Sequence, residues 1–182
     1  MTLQIFSTRS LHHLAALAAS TLLVAGTALA QEAPAAESAK GDRPANAWII
    51  NCASGANTTN LECQMSQNLT EQKTGQRVLT VTLRKQPKED GYTMLLALPH
   101  GLYIPAGASY QIDASDKKPA PVQTSDQNGA YAAVVLDAAG LKALKAGTTL
   151  NIGMESTARQ PITIPVSLTG FSAAVDKLAT LN

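Results

Sequence analysis

The chain has few of the residues from which catalytic and metal sites are most often built. Its 182 residues include only 2 cysteines and 3 histidines, and His12 and His13 lie in the extreme N-terminal segment. A structural zinc site takes four ligands, and a catalytic one takes three ligands and a water. Only His100, Cys52 and Cys63 remain. These three residues are a poor set of ligands for either kind of zinc site, and we expect no metal ion.

An excess of charge of either sign is lacking too. The 14 Lys and Arg residues nearly balance the 13 Asp and Glu residues, with a formal net charge of +1. A domain that binds nucleic acid usually carries a strongly basic face, so we expect no nucleic-acid partner. Hydrophobic residues make up 45% of the chain, which is enough for a core and excludes a fully disordered protein.

The common catalytic motifs are missing as well. No serine lies in G-x-S-x-G, and neither the phosphate-binding loop nor the dinucleotide-binding fingerprint is present. The base of a Ser-His-Asp triad would have to be His100, which lies between Pro99 and Gly101 and fits a turn better. We therefore predict no catalytic residues, no cofactor and no enzymatic activity.

Residues 1–30 have the pattern of a secretory signal peptide. Arg9 precedes an apolar stretch over 14–29, which ends in the small-x-small sequence at 28–30 that signal peptidase cleaves. The stretch is shorter and richer in Ala and Thr than the roughly 20 apolar residues of a membrane span. We predict export to an oxidising compartment, with no transmembrane segment after cleavage.

Export allows the oxidation state of the two cysteines to be predicted. In an oxidising compartment an even number of cysteines indicates a disulfide, so we predict a bond between Cys52 and Cys63. The spacing is not that of a redox-active C-x-x-C pair, so the role is structural. Closing this short loop stabilises the fold by roughly 3 kcal/mol in the chain-entropy model.

The remaining sequence predicts a leader and one β domain. Residues 31–46 are rich in Ala, Pro and charge, which indicates a disordered leader before a domain at 47–182. Nine short strands with turn residues between them favour an antiparallel sandwich or barrel. They are predicted at 48–52, 61–69, 78–84, 92–98, 110–113, 120–124, 131–136, 150–155 and 162–168. Two proline residues in the last strand, Pro161 and Pro165, predict an edge strand or a bulge.

Two helices interrupt or follow the strands. A short internal helix is predicted at 138–146, because Asp137 is a good N-cap and Gly147 a good stop. A C-terminal helix is predicted from the apolar stripe that begins at Phe171 and continues through Ala174 to Leu178.

The apolar segment Leu102-Tyr103-Ile104 lies between turn formers. Its side chains either cover one end of the β domain or form an exposed patch for a partner. We take Leu102, Tyr103 and Ile104 as the candidate partner-binding residues.

Three segments of the chain form a recognisable pattern in their order and spacing. They read Trp48-x3-Cys52-x10-Cys63-x-Met65, Leu98-Pro99-x-Gly101-Leu102-x-Ile104-x2-Gly107, and Ser167-Leu168-x-Gly170-Phe171-x2-Ala174-x3-Leu178. Together they resemble the invasion-associated locus B family of exported proteins from Gram-negative bacteria. The resemblance implies an immunoglobulin-like β-sandwich, a location in the periplasm, outer membrane or cell surface, and a link to host-cell invasion. It brings no catalytic residues.

The sequence departs from the family pattern at one hairpin. The resemblance implies a second cysteine pair there, and Ser125 and Ala130 stand at those positions. The hairpin is then expected to be held by its Asn128-Gly129 turn and by packing alone.

The function that follows from these features is a non-enzymatic β-sandwich that binds an envelope or host component. The alternative is a periplasmic inhibitor of a hydrolase or a housekeeping envelope protein. An inhibitor would act through a rigid loop, for which 53–60 and 99–107 are the candidates.

Overall fold

The structure, a computed structural model, describes residues 47–54, 61–86 and 91–181. These residues form ten strands and two helices. The predicted signal peptide at 1–30 and leader at 31–46 lie outside these residues. The strands are β1 Ile49–Ser54, β2 Leu61–Thr70, β3 Arg77–Lys85, β4 Tyr92–Leu98, β5 Ala108–Ile112, β6 Lys118–Ala120, β7 Val122–Asp126, β8 Gly129–Leu136, β9 Thr149–Glu155 and β10 Pro161–Ser167. The helices are α1 Ala138–Ala146 and α2 Phe171–Ala179.

The strands form two antiparallel sheets. One has six strands in the order β1-β2-β3-β4-β8-β7, and the other has four in the order β10-β9-β5-β6. Alternating residues bury one face of each sheet, such as Leu79 and Leu83 on β3 and Leu150 and Ile152 on β9. These side chains join those of both helices in one hydrophobic cluster. The predicted all-β sandwich with an internal and a C-terminal helix is confirmed, and the proline-containing β10 is an edge strand as predicted.

The prediction of one continuous strand at 120–124 is wrong. The chain divides at Pro121, so that Lys118–Ala120 pairs with β5 in one sheet and Val122–Asp126 pairs with β8 in the other. Proline has no N–H to donate to a ladder, and the chain crosses between the sheets at this residue. β6 and β7 therefore join the two layers.

Helix α1 occupies the residues predicted for it. The Asp137 Oδ1 atom accepts a hydrogen bond of 2.7 Å from the Gly140 N–H, which is the expected N-cap. Gly147 follows the helix as predicted, but its φ of −76° is not the left-handed conformation common at helix ends. Glycine is needed for space, because a Cβ atom there would lie 2.6 Å from Cγ2 of Ile112.

Helix α2 packs against the start of the domain. The rings of Trp48 and Phe171 meet edge to face, with centroids 5.0 Å apart. The carbonyl of Ser167 accepts hydrogen bonds from Trp48 Nε1 at 3.0 Å and from Gln67 Nε2 at 3.1 Å. These contacts tie β2 and the residue before β1 to the end of β10 in the other sheet. They also bring together the first and last of the three segments that suggested the family.

Candidate functional site

The predicted disulfide between Cys52 and Cys63 is present in the structure. The two residues lie directly opposite each other in β1 and β2, with Cα atoms 4.0 Å apart. Cys63 is buried, whereas Cys52 is exposed on the outermost strand of the six-stranded sheet. Because β1 has a neighbour on one side only, the bond acts as a covalent link that holds this edge strand in register.

The backbone of the segment 99–107 is held against the turn between β9 and β10. The N–H of Tyr103 donates to the Glu155 carbonyl at 2.9 Å, and the Gly101 carbonyl accepts from the Thr157 N–H at 3.0 Å. A short 3₁₀ helix, Ile104–Ala106, follows. The apolar segment between turn formers is therefore fixed on both sides of Leu102 by backbone hydrogen bonds.

The three candidate partner-binding residues face different surroundings. Leu102 is partly buried and packs against the hydrophobic core. Tyr103 is also partly buried, whereas 44% of Ile104 is exposed. The segment thus covers part of the core with Leu102 and presents Ile104 to solvent.

Arg159 adds a cation to this segment. Its guanidinium carbon lies 3.8 Å from the centroid of the Tyr103 ring, and its Nη2 atom donates to the Tyr103 hydroxyl at 2.8 Å. Arg159 has a φ of +61°, in the left-handed region that few side chains adopt, and its N–H donates to the Ser156 carbonyl at 2.9 Å. We call Tyr103, Ile104 and Arg159 together the Tyr103 surface.

Sequence reasoning missed Arg159. It lies 56 positions from Tyr103 in the chain, and no local pattern connects a turn residue to a ring so far away.

A second feature is a groove of about 710 Å³ beside the β7–β8 hairpin. We call it the hairpin groove. Its lining residues are Gln76, Arg77, Val78, Thr80, Ala97, Pro99, His100, Gln127, Asn128 and Tyr131. It lies where β3 begins, β4 ends and the hairpin turns.

Two side chains in this groove hold the hairpin. Arg77 donates from Nη1 to the Ala97 carbonyl at 2.9 Å and from Nη2 to the Asn128 carbonyl. The Nε2 atom of His100 lies 3.0 Å from the Gln127 carbonyl. The expectation that the hairpin is held by its turn and by packing alone is therefore wrong, because these bonds connect it to β3 and to the segment after β4.

Two ionisable groups beside the groove, Asp126 and Tyr131, have pKa values shifted away from neutral pH. The Asn128 backbone N–H donates to Asp126 and holds the pKa of that carboxyl below its usual value. Burial, followed by the hydrogen bond to Asp126, raises the pKa of the Tyr131 hydroxyl above its usual value. A general base works best with a pKa close to the operating pH, and both shifts lead away from it.

The described residues lack both a metal site and a membrane-spanning helix. They contain no group of three or more His, Cys, Asp or Glu side chains placed to hold a metal ion. Neither helix in this part of the chain is long and apolar enough to cross a membrane.

Comparison with known proteins gives the family. The model of the "Invasion associated locus B (IalB) protein" family matches residues 48–179. Two curated relatives, invasion protein B homologs of Brucella abortus strain 2308 and of Brucella abortus biovar 1 strain 9-941, are each 37% identical over 138 residues, which is 74% of this chain and 77% of the relative.

A solved structure has the same fold. The crystal structure of invasion associated protein B from Bartonella henselae superimposes with a TM-score of 0.67 at 22% identity, over 74% of this chain and 91% of that one. The resemblance drawn from the three sequence segments is confirmed, and the chain belongs to the invasion associated locus B family.

Proposed function

We propose that this chain is an exported, non-enzymatic protein that binds a protein partner at the bacterial envelope or on a host cell through the Tyr103 surface. The observation that carries the proposal is the arrangement of Tyr103, Ile104 and Arg159. Tyrosine and arginine are among the residues that most often dominate binding energy at protein interfaces. Here the two side chains stack on each other beside an aliphatic side chain that is 44% exposed.

The rigidity of the segment supports the same proposal. Binding costs free energy when side chains and loops must be ordered at the interface. The hydrogen bonds of Tyr103 to Glu155 and of Arg159 to Tyr103 order these groups before a partner arrives. The Arg159 cation, with no carboxylate in salt-bridge range among the described residues, favours a partner surface that is apolar with an acidic edge.

Export is supported by two observations, and a role in invasion by a third. Residues 1–30 have the pattern of a signal peptide. The Cys52–Cys63 disulfide is a bond that persists in oxidising compartments and is rare in the cytosol. The Brucella relatives are named invasion protein B homologs, and from them we infer a contribution to host-cell invasion for this chain.

A second candidate is inhibition of a hydrolase by the segment 99–107. The fixed backbone of this segment favours it, because inhibitors of that kind present a rigid loop to the enzyme. The other inhibitory loop predicted, 53–60, lies mostly outside the described residues, so the inhibitor hypothesis depends on Tyr103 and its neighbours.

Site-specific crosslinking in living cells tests the proposal. A photoreactive amino acid is placed at position 104 of the full chain, and separately at position 135 as a control. Val135 is the matched control because it is apolar and 68% exposed on β8. We expect one discrete adduct from position 104 and none from position 135, and we expect Arg159→Ala to reduce the adduct severalfold while the melting temperature stays unchanged.

The identity of the adduct separates the candidates. An envelope or host protein that is not a hydrolase supports the proposal, whereas a hydrolase whose activity falls on binding supports the inhibitor. Equal adducts from positions 104 and 135, or none from position 104 in envelope and host-contact samples, would contradict both.

A further inference from the structure

The hairpin groove contains a cation that no carboxylate neutralises. A guanidinium group has five N–H donors, and Arg77 uses two of them on the carbonyls of Ala97 and Asn128. The only salt bridge among the described residues joins Lys145 to Asp176, on the two helices. Arg77 therefore lines the groove as a cation without a carboxylate partner, and three of its N–H groups have no protein acceptor in the described part of the chain.

The nearby carboxylate is already engaged. Asp126 Oδ1 accepts from the Asn128 N–H at 2.7 Å and from the Tyr131 hydroxyl at 3.0 Å. These two bonds fix Asp126 against its own hairpin. Arg77 acts instead on Tyr131, where its charge offsets part of the rise in the pKa of the hydroxyl that burial and Asp126 cause.

The rest of the lining carries no permanent charge and is rich in hydrogen-bonding groups. Gln76 and Gln127 carry amides and Thr80 carries a hydroxyl, and rings of Pro99 and Tyr131 form apolar walls. A pocket of this kind, with apolar walls and a few polar groups that converge, is typical of small-molecule sites. The volume of about 710 Å³ lies within the range of such sites.

From this geometry we propose that the hairpin groove binds an acidic sugar, with its carboxylate on Arg77 and its hydroxyl groups on the surrounding amides and hydroxyls. The fork of an arginine matches the two oxygens of a carboxylate. Arg77 is the one permanently charged side chain in the lining, so the groove suits a ligand with a single negative charge. The walls suit a ligand whose remaining groups are neutral and polar.

A strand of an acidic peptide is the less suitable occupant. Peptides that add to a sheet need a free edge and alternating side-chain pockets. The groove instead lies across the ends of β3 and β4, which are both interior strands of the six-stranded sheet. The site does not involve the Tyr103 surface, so each proposal can fail without the other.

The test is a titration of the mature protein, followed by NMR and calorimetry, with glucuronate as the probe. Glucose is the control for the carboxylate and acetate is the control for the sugar. We expect saturable binding of glucuronate in the millimolar range, with shifts at Arg77 Nε–H and at the ring of Tyr131. Glucose and acetate should bind about tenfold more weakly or not at all, because each lacks one half of the contacts.

Two variants locate the site. Arg77→Gln should weaken glucuronate binding about tenfold, which corresponds to 1.4 kcal/mol. Arg84→Gln removes the same charge from the exposed far end of the same strand and should leave the affinity within about twofold.

Arg77→Gln also removes two bonds to the backbone, so its melting temperature is measured alongside. If that variant does not fold, the comparison of glucuronate with glucose and acetate on the wild type decides. Binding of acetate as tight as that of glucuronate, shifts confined to other surfaces, tighter binding of an acidic peptide, or no saturation would each overturn the proposal.

Discussion

Ser125 and Ala130 lie directly opposite each other in the β7–β8 hairpin, in the same kind of register as Cys52 and Cys63 in β1 and β2. In each pair one residue is exposed and the other is buried, with Ala130 at 3% and Cys63 at 4% exposure. These are the two positions at which the family resemblance implies a second cysteine pair. The hairpin therefore keeps the register and the burial pattern of the Cys52–Cys63 pair without the cysteines.

We predict that the double variant Ser125→Cys/Ala130→Cys forms a disulfide without rearrangement of the hairpin. The closed loop is short, so the chain-entropy model gives a stabilisation of about 2 kcal/mol. The measurement is the free energy of unfolding in urea with and without reductant, and the Ser125→Cys single variant is the control. Two free thiols in the oxidised double variant would show that the register differs from the one described.

Removal of the native bond should have the opposite effect. Cys52→Ser is expected to lower the free energy of unfolding by roughly 2–4 kcal/mol, because the unfolded chain gains freedom and the edge strand β1 loses its covalent link. Thermal unfolding of the oxidised and reduced wild type checks the same quantity independently. A melting temperature that does not change on reduction would mean that the cysteines are not bonded in the isolated protein.

Gly129 should tolerate no side chain. It has a φ of +142°, and a Cβ atom there would collide with the carbonyl oxygen of Leu98. Gly75→Ala is the matched control, since Gly75 also has a positive φ, of +68°, but has nothing within 4 Å of the added Cβ. We expect Gly75→Ala to cost about 1–2 kcal/mol for the backbone alone and Gly129→Ala to cost clearly more. Equal losses in chemical denaturation would contradict the close approach.

Asp126 should contribute to stability in a pH-dependent way. The hydrogen bond from the Asn128 N–H lowers the pKa of Asp126 in the folded state below its ordinary value of 3.8. Its contribution is therefore present above about pH 4 and is lost as the pH falls through the lowered folded-state pKa. We expect the wild type to lose more stability than Asp126→Asn between about pH 5 and pH 2. Asp116→Asn, which removes another exposed carboxylate, is the control. Curves of stability against pH that run parallel for the wild type and Asp126→Asn would contradict this prediction.

Local signals in the sequence predicted most of the elements. The cap at Asp137 and the glycine at position 147 define α1, and alternation of apolar and polar residues defines β3, β9 and β10. These signals act over a few residues, so they can be read without the fold. The division of 118–126 between two sheets was not predicted, although Pro121 marks the place, because alternation does not say which sheet a strand joins.

The candidate sites were predictable only in part. The segment Leu102-Tyr103-Ile104 was identified as apolar residues between turn formers, and its exposed member, Ile104, is in the Tyr103 surface. Arg159 and Arg77 were not identified, because each acquires its role from a partner far along the chain. Arg159 contacts Tyr103, and Arg77 bonds to Asn128, which is 51 positions away.

Export to the cell envelope is tested most directly by protease treatment of intact cells, followed by fractionation and by mass determination of the N-terminus. The expected result is a chain that begins at Gln31, is found in the envelope fractions and is digested on intact cells, as direct contact with a host protein requires. Protection until the outer membrane is opened would limit the partner to the periplasm. An uncleaved chain that begins at Met1 and remains in the cytoplasm would contradict the proposed function.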